Sequence, residues 1–344
     1  DTLKLTNFKR FESLELNLDE KINVFIGING AGKTSILKSV VNGLGPLVFY
    51  WAESGLGHPN VAEIVHKRVE RAENRVRLEP VYPVEICLLI KDGGVSFPLS
   101  VSYQADNDKK RQWVRNYNRP KGFGHTLPVL ALYGAERFTS NCISDTIQPS
   151  LRPEERLRAY DSWSNASASQ ECMKTLSWIA TKSTERMQIA LESETSYAKV
   201  VGDDLATLNQ ALRSAFEEFE SIYYDWKSKS ILTLWQGGQV KTFEDLSDGE
   251  RGVVLLFADI VRRVALLNPH LGGRAALETD GVVLIDEIDA HLHPAWQQKI
   301  VPGLNKAFPK IQFIVSTHSP FVVGEVKPSS IFMLTEKGIQ QPLQ

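Results

Sequence analysis

The sequence INVFIGINGAGKT at residues 22–34 predicts the fold class. A mainly apolar run ends at Gly27, and the residues from there follow the phosphate-loop pattern of glycine, four residues, glycine, lysine and serine or threonine. The pattern has the context it requires, after an apolar strand and at the start of a helix. Its glycines let backbone N–H groups turn inward around a phosphate, and the helix N-terminus adds partial positive charge. The alternative is an ordinary glycine-rich turn between a strand and a helix.

This loop predicts specific contacts with a nucleoside triphosphate. The ammonium group of Lys33 is expected to reach the β- and γ-phosphates, and the hydroxyl of Thr34 is expected to ligate Mg²⁺. The other contacts are expected from the loop itself and the first turn of the helix. The residues assigned to the nucleotide here are Asn29, Gly30, Ala31, Gly32, Lys33, Thr34 and Ser35.

The segments around the loop predict strands and one helix. A helix is expected from Lys33 to the pair Gly45 and Pro46, because apolar residues between them recur on one face. Alternating or continuous apolar residues predict strands in the rest of the first half of the chain. These strands are expected within residues 2–26 and at residues 82–90, 95–103 and 127–133.

Residues 151–228 have a more polar, helical pattern and are interpreted as a helical insertion. A strand pair is expected at about residues 230–243, followed by a second core of helix and buried strand. Strands that alternate with helices favour an α/β architecture with a largely parallel sheet. The predicted division is a first lobe at residues 1–150, the insertion at 151–228 and a second lobe at 229–344.

A second apolar strand, GVVLIDEID at residues 281–289, ends in an acidic pair. A central strand of this kind delivers charge to the carboxyl edge of the sheet. We expect Asp286 to hold Mg²⁺ and Glu287 to act as the base that polarises an attacking water. The alternative is that the two carboxylates only begin a solvated loop.

The segment LSDGERG, residues 246–252, predicts the start of a helix. Ser247 and Glu250 have the spacing of a capping box, and apolar residues after them fall on one face. A capped helix N-terminus that contains a glycine can also bind a phosphate. The residues assigned to the nucleotide here are Ser247, Asp248, Gly249 and Glu250.

Two histidine-containing segments follow. In IQFIVSTHSP, residues 311–320, His318 stands just past a buried strand, where a lone histidine is usually structural. In DAHLHP, residues 289–294, His291 and His293 lie beside carboxylates, but no third ligand has the spacing of a zinc site. We therefore expect no zinc there, and we expect a helix to begin at Pro294.

The composition is that of a folded protein rather than a disordered one. Of 344 residues, 42% are hydrophobic and 23% are charged, and the net charge is −2, so no overall field favours DNA or an anionic membrane. No apolar run approaches the roughly 20 residues that cross a bilayer. The widely spaced Cys87, Cys142 and Cys172 lack metal or redox spacing, which favours reduced thiols and a cytoplasmic location.

Taken together, these motifs resemble those of the bacterial SMC-type AAA ATPases. That group includes RecF-like repair proteins, overcoming-lysogenization-defect ATPases and the ATPases of Septu and retron anti-phage systems. The pattern is especially similar to sequences described as predicted ATP-binding proteins involved in virulence. The similar stretches are NFKRFESLEL at residues 7–16, GINGAGKT, LSDGERG, VLIDEIDAHLHP and IQFIVSTHSP. The resemblance covers both lobes but not the insertion.

The resemblance implies a fold and a mechanism. The fold is a P-loop NTPase of the ABC/SMC head type, with a mixed sheet, an N-terminal antiparallel β region and a helical insertion. LSDGERG resembles the Leu-Ser-Gly-Gly-Gln signature of ABC-type ATPases, so Ser247 and Gly249 would contact the γ-phosphate held by an opposing subunit. Asp289 would bridge the two active sites as part of a D-loop. His318 would be the switch histidine that senses the γ-phosphate.

The same resemblance implies ATP and Mg²⁺ as cofactors and a homodimer, or a larger assembly of dimers, that controls an effector such as a nuclease in anti-phage defence. The alternative function is a DNA-binding repair or remodelling ATPase. Its support is a basic segment at residues 109–121 in which cations interleave with Trp113 and Tyr117, although a solvated loop explains that segment equally well. The cations are Lys109, Lys110, Arg111, Arg115, Arg119 and Lys121.

The same motifs disfavour two other functions. A transporter subunit is disfavoured by the SMC-like signature and the insertion. An inactive scaffold is disfavoured because Lys33, Asp286, Glu287 and His318 are all present. Gln148 lies in a plausible region for the glutamine of the Q-loop.

Overall fold

The computed structural model describes residues 2–52, 61–72, 75–92, 95–105, 111–114, 125–136, 147–150, 154–166, 169–335 and 338–340. In chain order the strands are β1 (Thr2–Phe8), β2 (Phe11–Asn17), β3 (Ile22–Gly27), β4 (His66–Ala72), β5 (Arg75–Val81), β6 (Val84–Asp92), β7 (Val95–Tyr103), β8 (Arg111–Val114), β9 (Val129–Tyr133), β10 (Phe219–Asp225), β11 (Ser230–Trp235), β12 (Gln239–Thr242), β13 (Gly281–Ile285), β14 (Ile311–Thr317), β15 (Ile331–Thr335) and β16 (Gly338–Gln340). The helices are α1 (Lys33–Ala52), α2 (Val61–Ile64), α3 (Ser169–Glu192), α4 (Asp204–Ala215), α5 (Asp248–Leu267), α6 (Ala275–Glu278), α7 (Pro294–Ala307) and α8 (Pro320–Val323).

The central sheet has the order β16-β15-β3-β14-β13-β9. Its five strands from β15 to β9 are parallel, and β16 is antiparallel at one edge. The middle strands are apolar and almost fully buried, as expected for a parallel sheet covered on both faces. Because β3, β14 and β13 are neighbours, the segments that follow them meet at one edge of the sheet. The predicted α/β architecture with a largely parallel sheet is confirmed.

The N-terminal β region forms an antiparallel sheet of order β2-β1-β6-β7-β8. Helix α1 contacts strands of both this sheet and the central sheet, so it lies between them. The strands expected within residues 2–26 and near residues 82–90, 95–103 and 127–133 are all present. The hairpin of β4 and β5 was not predicted.

Helix α1 does not stop where the sequence predicted. It runs on to Ala52, with Pro46 inside it, so the expected end at Gly45 and Pro46 is wrong. A proline inside a helix costs about 3 kcal/mol, because it removes one hydrogen bond and crowds the preceding turn. Leu47 and Val48, which follow it, are buried, and burying such side chains contributes about 1.5–3 kcal/mol each. That burial outweighs the local penalty.

The expected helical character of residues 151–228 is only partly correct. Helices α3 and α4 are present, but strand β10 also lies within this region, where it pairs with β11. Residues Phe219, Ile222 and Tyr224 of β10 are buried in the apolar core, so tertiary packing selects the extended form. The expected strand pair at about residues 230–243 is therefore part of a three-stranded sheet, β10-β11-β12.

Helices α3 and α4 pack against α5, and α4 also packs against α7. Their buried residues join the apolar core that extends through the central sheet. The division into two lobes and an insertion stays a prediction, and these contacts place α3 and α4 directly beside the helix that begins after Ser247. Within the described residues, no helix is both long enough and apolar enough to span a bilayer.

Candidate nucleotide site

Three segments converge at the carboxyl ends of β3, β14 and β13. The phosphate loop follows β3, the segment with His318 follows β14, and the acidic pair follows β13. The register aligns Ile26 with Thr317 across one pair of strands and Ile285 with Val315 across the other. These neighbouring strand ends place groups of opposite charge at a single edge of the sheet.

The phosphate loop owes its path to glycines. Gly30 and Gly32 have φ values of +78° and +102°, a region that side chains with a Cβ rarely adopt. A Cβ on Gly32 would also lie 2.6 Å from Cδ of Arg10. Arg10 crosses the loop and donates from Nη1 to the carbonyl of Gly30 at 2.8 Å. The loop is thus a tight turn, and Arg10, which lies between β1 and β2, connects it to the N-terminal sheet by a hydrogen bond.

Lys33 points back into its own loop. Its Nζ donates to the carbonyl of Gly27 at 2.8 Å and to that of Ile28 at 3.2 Å. Burial lowers the pKa of this ammonium group, and the nearby carboxylates oppose that effect by attraction. Those carboxylates are Asp286, Glu287 and Asp289. The cation is therefore surrounded by the acidic edge and by loop carbonyls.

Thr34 and Asp286 meet directly, although they lie far apart in sequence. The Thr34 hydroxyl donates to Oδ2 of Asp286 at 2.7 Å, and the Ser316 hydroxyl donates to Oδ1 of the same carboxylate. Mg²⁺ prefers oxygen ligands and keeps several waters beside one or two carboxylates. A hydroxyl and a carboxylate in direct contact, at the edge of the phosphate loop, fit that preference.

Glu287 begins a tight turn after β13. Its φ is +49°, an uncommon conformation for a residue other than glycine, and such strain clusters at functional sites. The turn is held by the Glu287 N–H, which donates to Oγ of Ser316 at 2.8 Å, and by the Ala290 N–H, which donates to the Glu287 carbonyl at 2.8 Å. The Glu287 side chain is half-buried at this edge.

Asp289 ties this turn to the segment after β14. Its Oδ1 accepts a hydrogen bond from the Thr317 hydroxyl and one from the His318 N–H at 3.3 Å. The ring of His318 is exposed, so it remains accessible from solvent. Within one chain, Asp289 therefore fixes the backbone that carries His318. Its expected role between two subunits stays a prediction.

The predicted capping box at the start of α5 is confirmed. The Glu250 N–H donates to Oγ of Ser247 at 3.3 Å, and the Ser247 N–H donates to Oε2 of Glu250 at 2.8 Å. Lys241 also donates to Glu250, at 2.9 Å. Burial would raise the pKa of Glu250, but the hydrogen bonds from Lys241 and Ser247 outweigh it and lower the pKa. The Glu250 carboxylate of the capping box is therefore ionised, and the Ser247 side chain is exposed.

The N-terminus of α5 rests on the turn after β13. A Cβ on Gly249 would lie 2.3 Å from the carbonyl oxygen of His291, so only glycine allows this approach. His291 itself has a φ of +61°. His293 caps α7 by accepting the Ala295 N–H on Nδ1 at 3.3 Å, and α7 begins at Pro294 as predicted.

The structure thus brings together most of the predicted site. Lys33, Thr34, Asp286, Glu287 and Asp289 share one edge, whereas Ser247, Asp248, Gly249 and Glu250 lie at the start of α5, against the His291 turn. Asn29, Gly30, Ala31, Gly32 and Ser35 lie in the loop and the first turn of α1. Their roles toward a nucleotide and a metal remain predictions.

Sequence reasoning missed Arg10 and Ser316, and neither carries a motif of its own. Gln148 is exposed, and its role in a Q-loop stays a prediction. The basic segment at residues 109–121 lies outside the described residues apart from the backbone of β8, so the DNA-binding alternative also stays a prediction.

Comparison with protein families gives two matches. Residues 179–324 match the family described as "AAA domain, putative AbiEii toxin, Type IV TA system", and residues 1–40 match the family described as "AAA ATPase domain". The second match contains the phosphate loop, and the first contains α5, the acidic pair and His318.

Curated proteins that match nearly the whole chain carry related names. The chain is 25% identical to the Retron Vc95 probable ATPase of Vibrio cholerae serotype O1 biovar El Tor, over 97% of this chain and 73% of that protein. It is 26% identical to the Retron Ec83 probable ATPase of Escherichia coli, over 96% of this chain and 70% of that protein. It is also 26% identical to the Septu protein PtuA of Bacillus mycoides, over 98% of this chain but only 40% of that protein.

Solved structures give the fold. The SMC head domain from Thermotoga maritima superposes with a TM-score of 0.53 at 13% identity, covering 100% of this chain and 98% of that chain. An SMC head bound to the C-terminal winged-helix domain of ScpA gives a TM-score of 0.55 at 15% identity, covering 98% and 95%. The AAA ATPase match and the relatives' names support ATPase activity at modest identity. The chain therefore has the α/β fold of an SMC head, and its sequence is similar to those of retron and Septu ATPases.

Proposed function

We propose that this protein hydrolyses ATP with Mg²⁺, pairs head to tail with a second copy around the nucleotide, and so controls a partner effector in bacterial anti-phage defence. The observation that carries the proposal is the contact of the phosphate loop with the acidic pair. Thr34 Oγ1 lies 2.7 Å from Asp286 Oδ2, and Glu287 is the next residue. That contact joins a phosphate cradle, an oxygen donor pair and a candidate base.

Each group at the edge has a role in this proposal. Lys33 exchanges its two loop carbonyls for β- and γ-phosphate oxygens when the triphosphate enters. Thr34 and Asp286 would hold Mg²⁺, which neutralises charge on the phosphate oxygens. Glu287 accepts the proton of the attacking water. His318, whose ring is exposed, contacts the γ-phosphate side.

The second subunit is proposed to complete the site. Ser247 is exposed at the N-terminus of α5, where unpaired N–H groups and the helix dipole favour an anion. The carboxylate of Glu250 is already bound to Lys241 and the cap, so its charge is compensated there. The Ser247 hydroxyl donates to Oε2 of Glu250 at 2.9 Å, so it would exchange this acceptor for an oxygen of the γ-phosphate held by the other copy, which the N–H of Gly249 would also approach.

Control of an effector rests on the relatives. Their names place them in retron and Septu systems, and one SMC head with this fold was solved bound to a winged-helix domain of ScpA. A nucleotide-dependent dimer can expose or cover a binding surface, because ATP changes how the two copies sit together. We propose a nuclease or toxin as the effector. We also propose that the dimers can assemble into larger complexes.

The test of the pairing uses Glu287→Gln. This variant keeps the binding groups and loses the base, so we expect Mg·ATP to trap a dimer whose mass by light scattering is twice that of the nucleotide-free protein. The matched control adds Ser247→Arg to the same variant, which should leave ATP binding to each chain intact and abolish the dimer. A Glu287→Gln protein that binds ATP and stays monomeric would contradict the proposal.

A further inference from the structure

A buried ionic cluster surrounds the middle of α5, away from the nucleotide edge. Six of its seven side chains are at most 2% exposed, although four of those six are charged. The seventh, Glu154, lies at its rim and is partly exposed. We call the set the α5 cluster: Tyr133, Glu154, Glu171, Thr175, Asp259, Arg262 and Arg263.

Asp259 is the centre of the α5 cluster. Its Oδ2 accepts hydrogen bonds from Nε of Arg263 at 2.7 Å and from the hydroxyl of Tyr133 at 2.8 Å. Its Oδ1 accepts from Nη2 and Nε of Arg262, at 2.8 and 3.1 Å. The Thr175 hydroxyl lies 3.2 Å from the same oxygen and 2.9 Å from the carbonyl of Glu171. A carboxylate offers about four acceptor positions, and these bonds use all of them.

The fully buried charges of the α5 cluster balance, with two carboxylates and two guanidinium groups, and Glu154 adds a third carboxylate at its rim. Asp259 and Glu171 oppose the two arginines, and Arg262 reaches both Glu171, at 2.9 Å, and Glu154, at 3.1 Å. Such a cluster adds little net stability compared with apolar packing, because its charges lose their hydration. Its directional bonds do fix one arrangement of the elements that contribute to it. Those elements are β9, α3 and α5.

Tyr133 links the α5 cluster to the nucleotide edge. It is the last residue of β9, it aligns with Ile285 of β13, and its carbonyl accepts the N–H of Asp286 at 2.8 Å. The same residue thus holds Asp259 through its hydroxyl and Asp286 through its backbone. Asp259 lies twelve residues along the chain from Ser247, or about 18 Å at 1.5 Å per residue of helix.

We infer that Tyr133 is a positioning residue. When α5 binds the nucleotide held by the second copy, Tyr133 transmits the displacement of α5 to Asp286. The inference rests on the proposed function. When the N-terminus of α5 takes up a γ-phosphate, the helix is drawn toward the other copy. Because Asp259 is held by Tyr133, the displacement reaches the end of β9 and the neighbouring N–H of Asp286. Turnover then depends on pairing, because the backbone position of Asp286 depends on where α5 is held in the dimer.

The chain offers a matched pair of variants. Tyr133→Phe and Thr175→Val each remove one fully buried hydroxyl that lies within hydrogen-bond distance of Asp259, at 2.8 and 3.2 Å. Only the first hydroxyl belongs to a residue that also contacts Asp286, since Thr175 lies on α3. We expect Tyr133→Phe to lower kcat about tenfold, as for loss of a hydrogen bond to a charged group, with KM and single-chain ATP affinity changed less than about twofold. Thr175→Val should keep kcat within about twofold.

The measurements are steady-state ATPase kinetics against protein concentration, ATP binding to the Ser247→Arg monomer carrying each change, and thermal unfolding. Equal loss of kcat in the two variants would overturn the inference, because it would show a general packing effect. The inference would also be overturned if Tyr133→Phe weakened ATP binding to the monomer as much as it lowered kcat. That result would show that Tyr133 supports the phosphate loop. If the Glu287→Gln protein forms no ATP-dependent dimer, the proposed function itself fails. The dimer is therefore measured first, and the two hydroxyl variants are compared afterwards.

Discussion

Replacing Asp259 by asparagine should strongly destabilise the protein, although the change alters only one oxygen and removes one charge. The carboxylate is fully buried and accepts bonds from both Arg262 and Arg263. Removing one partner of a buried ion pair costs about 3–5 kcal/mol, because the remaining charge is left without compensation. At roughly 2 °C per kcal/mol for a large domain, Tm should fall by about 6–10 °C.

The control is an exposed pair with the same chemistry. Glu278 and Arg274 lie 2.7 Å apart on the surface, with side chains 35% and 66% exposed. Glu278→Gln should change stability by less than about 1 kcal/mol, because water and salt screen such pairs. Calorimetry of both variants at pH 7 measures the difference. Asp259→Asn unfolding within about 1 °C of the unchanged protein would refute the reasoning.

The pH dependence provides a second readout of the same variant. Burial would raise the pKa of Asp259, but Arg263 and Arg262 outweigh it and lower the pKa from 3.8 to about 2. A carboxyl with a depressed folded pKa stabilises the protein above its unfolded pKa and loses that contribution as pH falls through the folded value. The difference in Tm between the unchanged protein and Asp259→Asn should therefore be largest above about pH 4 and should shrink between about pH 4 and 2. A gap that stays constant to pH 2 would contradict this assignment.

Two further outcomes test the site. Gly249→Ala should cost about 1–3 kcal/mol, because its Cβ would lie 2.3 Å from the carbonyl oxygen of His291, whereas Gly252→Ala meets nothing within 4 Å and should be neutral or stabilising by about 0.5–1 kcal/mol. Thermal unfolding of the pair checks this, and equal Tm values would contradict it. Thr34→Val removes the hydroxyl that contacts Asp286, so it should weaken ATP binding about tenfold or more with Mg²⁺ and change it little with EDTA. Titration calorimetry distinguishes the two conditions, and equal loss in both would argue against a metal role for Thr34.

The nucleotide edge could be predicted because its signals are local. Glycine spacing between an apolar strand and a helix, and an acidic pair at the end of another strand, each depend on a few adjacent residues. Once Gly27, Asp286 and His318 are placed at the ends of parallel strands, the sheet brings them to one edge without further information.

Other features depend on distant packing and carry no comparable signal. Strand β10 lies in a stretch whose letters also suit a helix, and the pairing with β11 decides between them. Pro46 is a helix breaker by local rules, and only the burial of Leu47 and Val48 keeps α1 continuous. Ser316 lies within an apolar strand, and its contact with Asp286 exists only because β14 and β13 are neighbours.

The apolar face of α5 could be read from its sequence, but the burial of Asp259, Arg262 and Arg263 could not. Charged residues in a helix are expected on the solvent side, and these become buried because α3 and β9 supply partners from 84 to 126 residues away in the chain. This arrangement fixes α5 at two points, at Gly249 against His291 and at Asp259 against Tyr133. A helix held twice cannot shift at its N-terminus without straining at least one of these contacts. His291 belongs to the turn after β13, and the carbonyl of Tyr133 accepts the N–H of Asp286, so both contacts lead to the acidic edge. A second copy that moves Ser247 must therefore also move residues at the edge where the nucleotide is proposed to react.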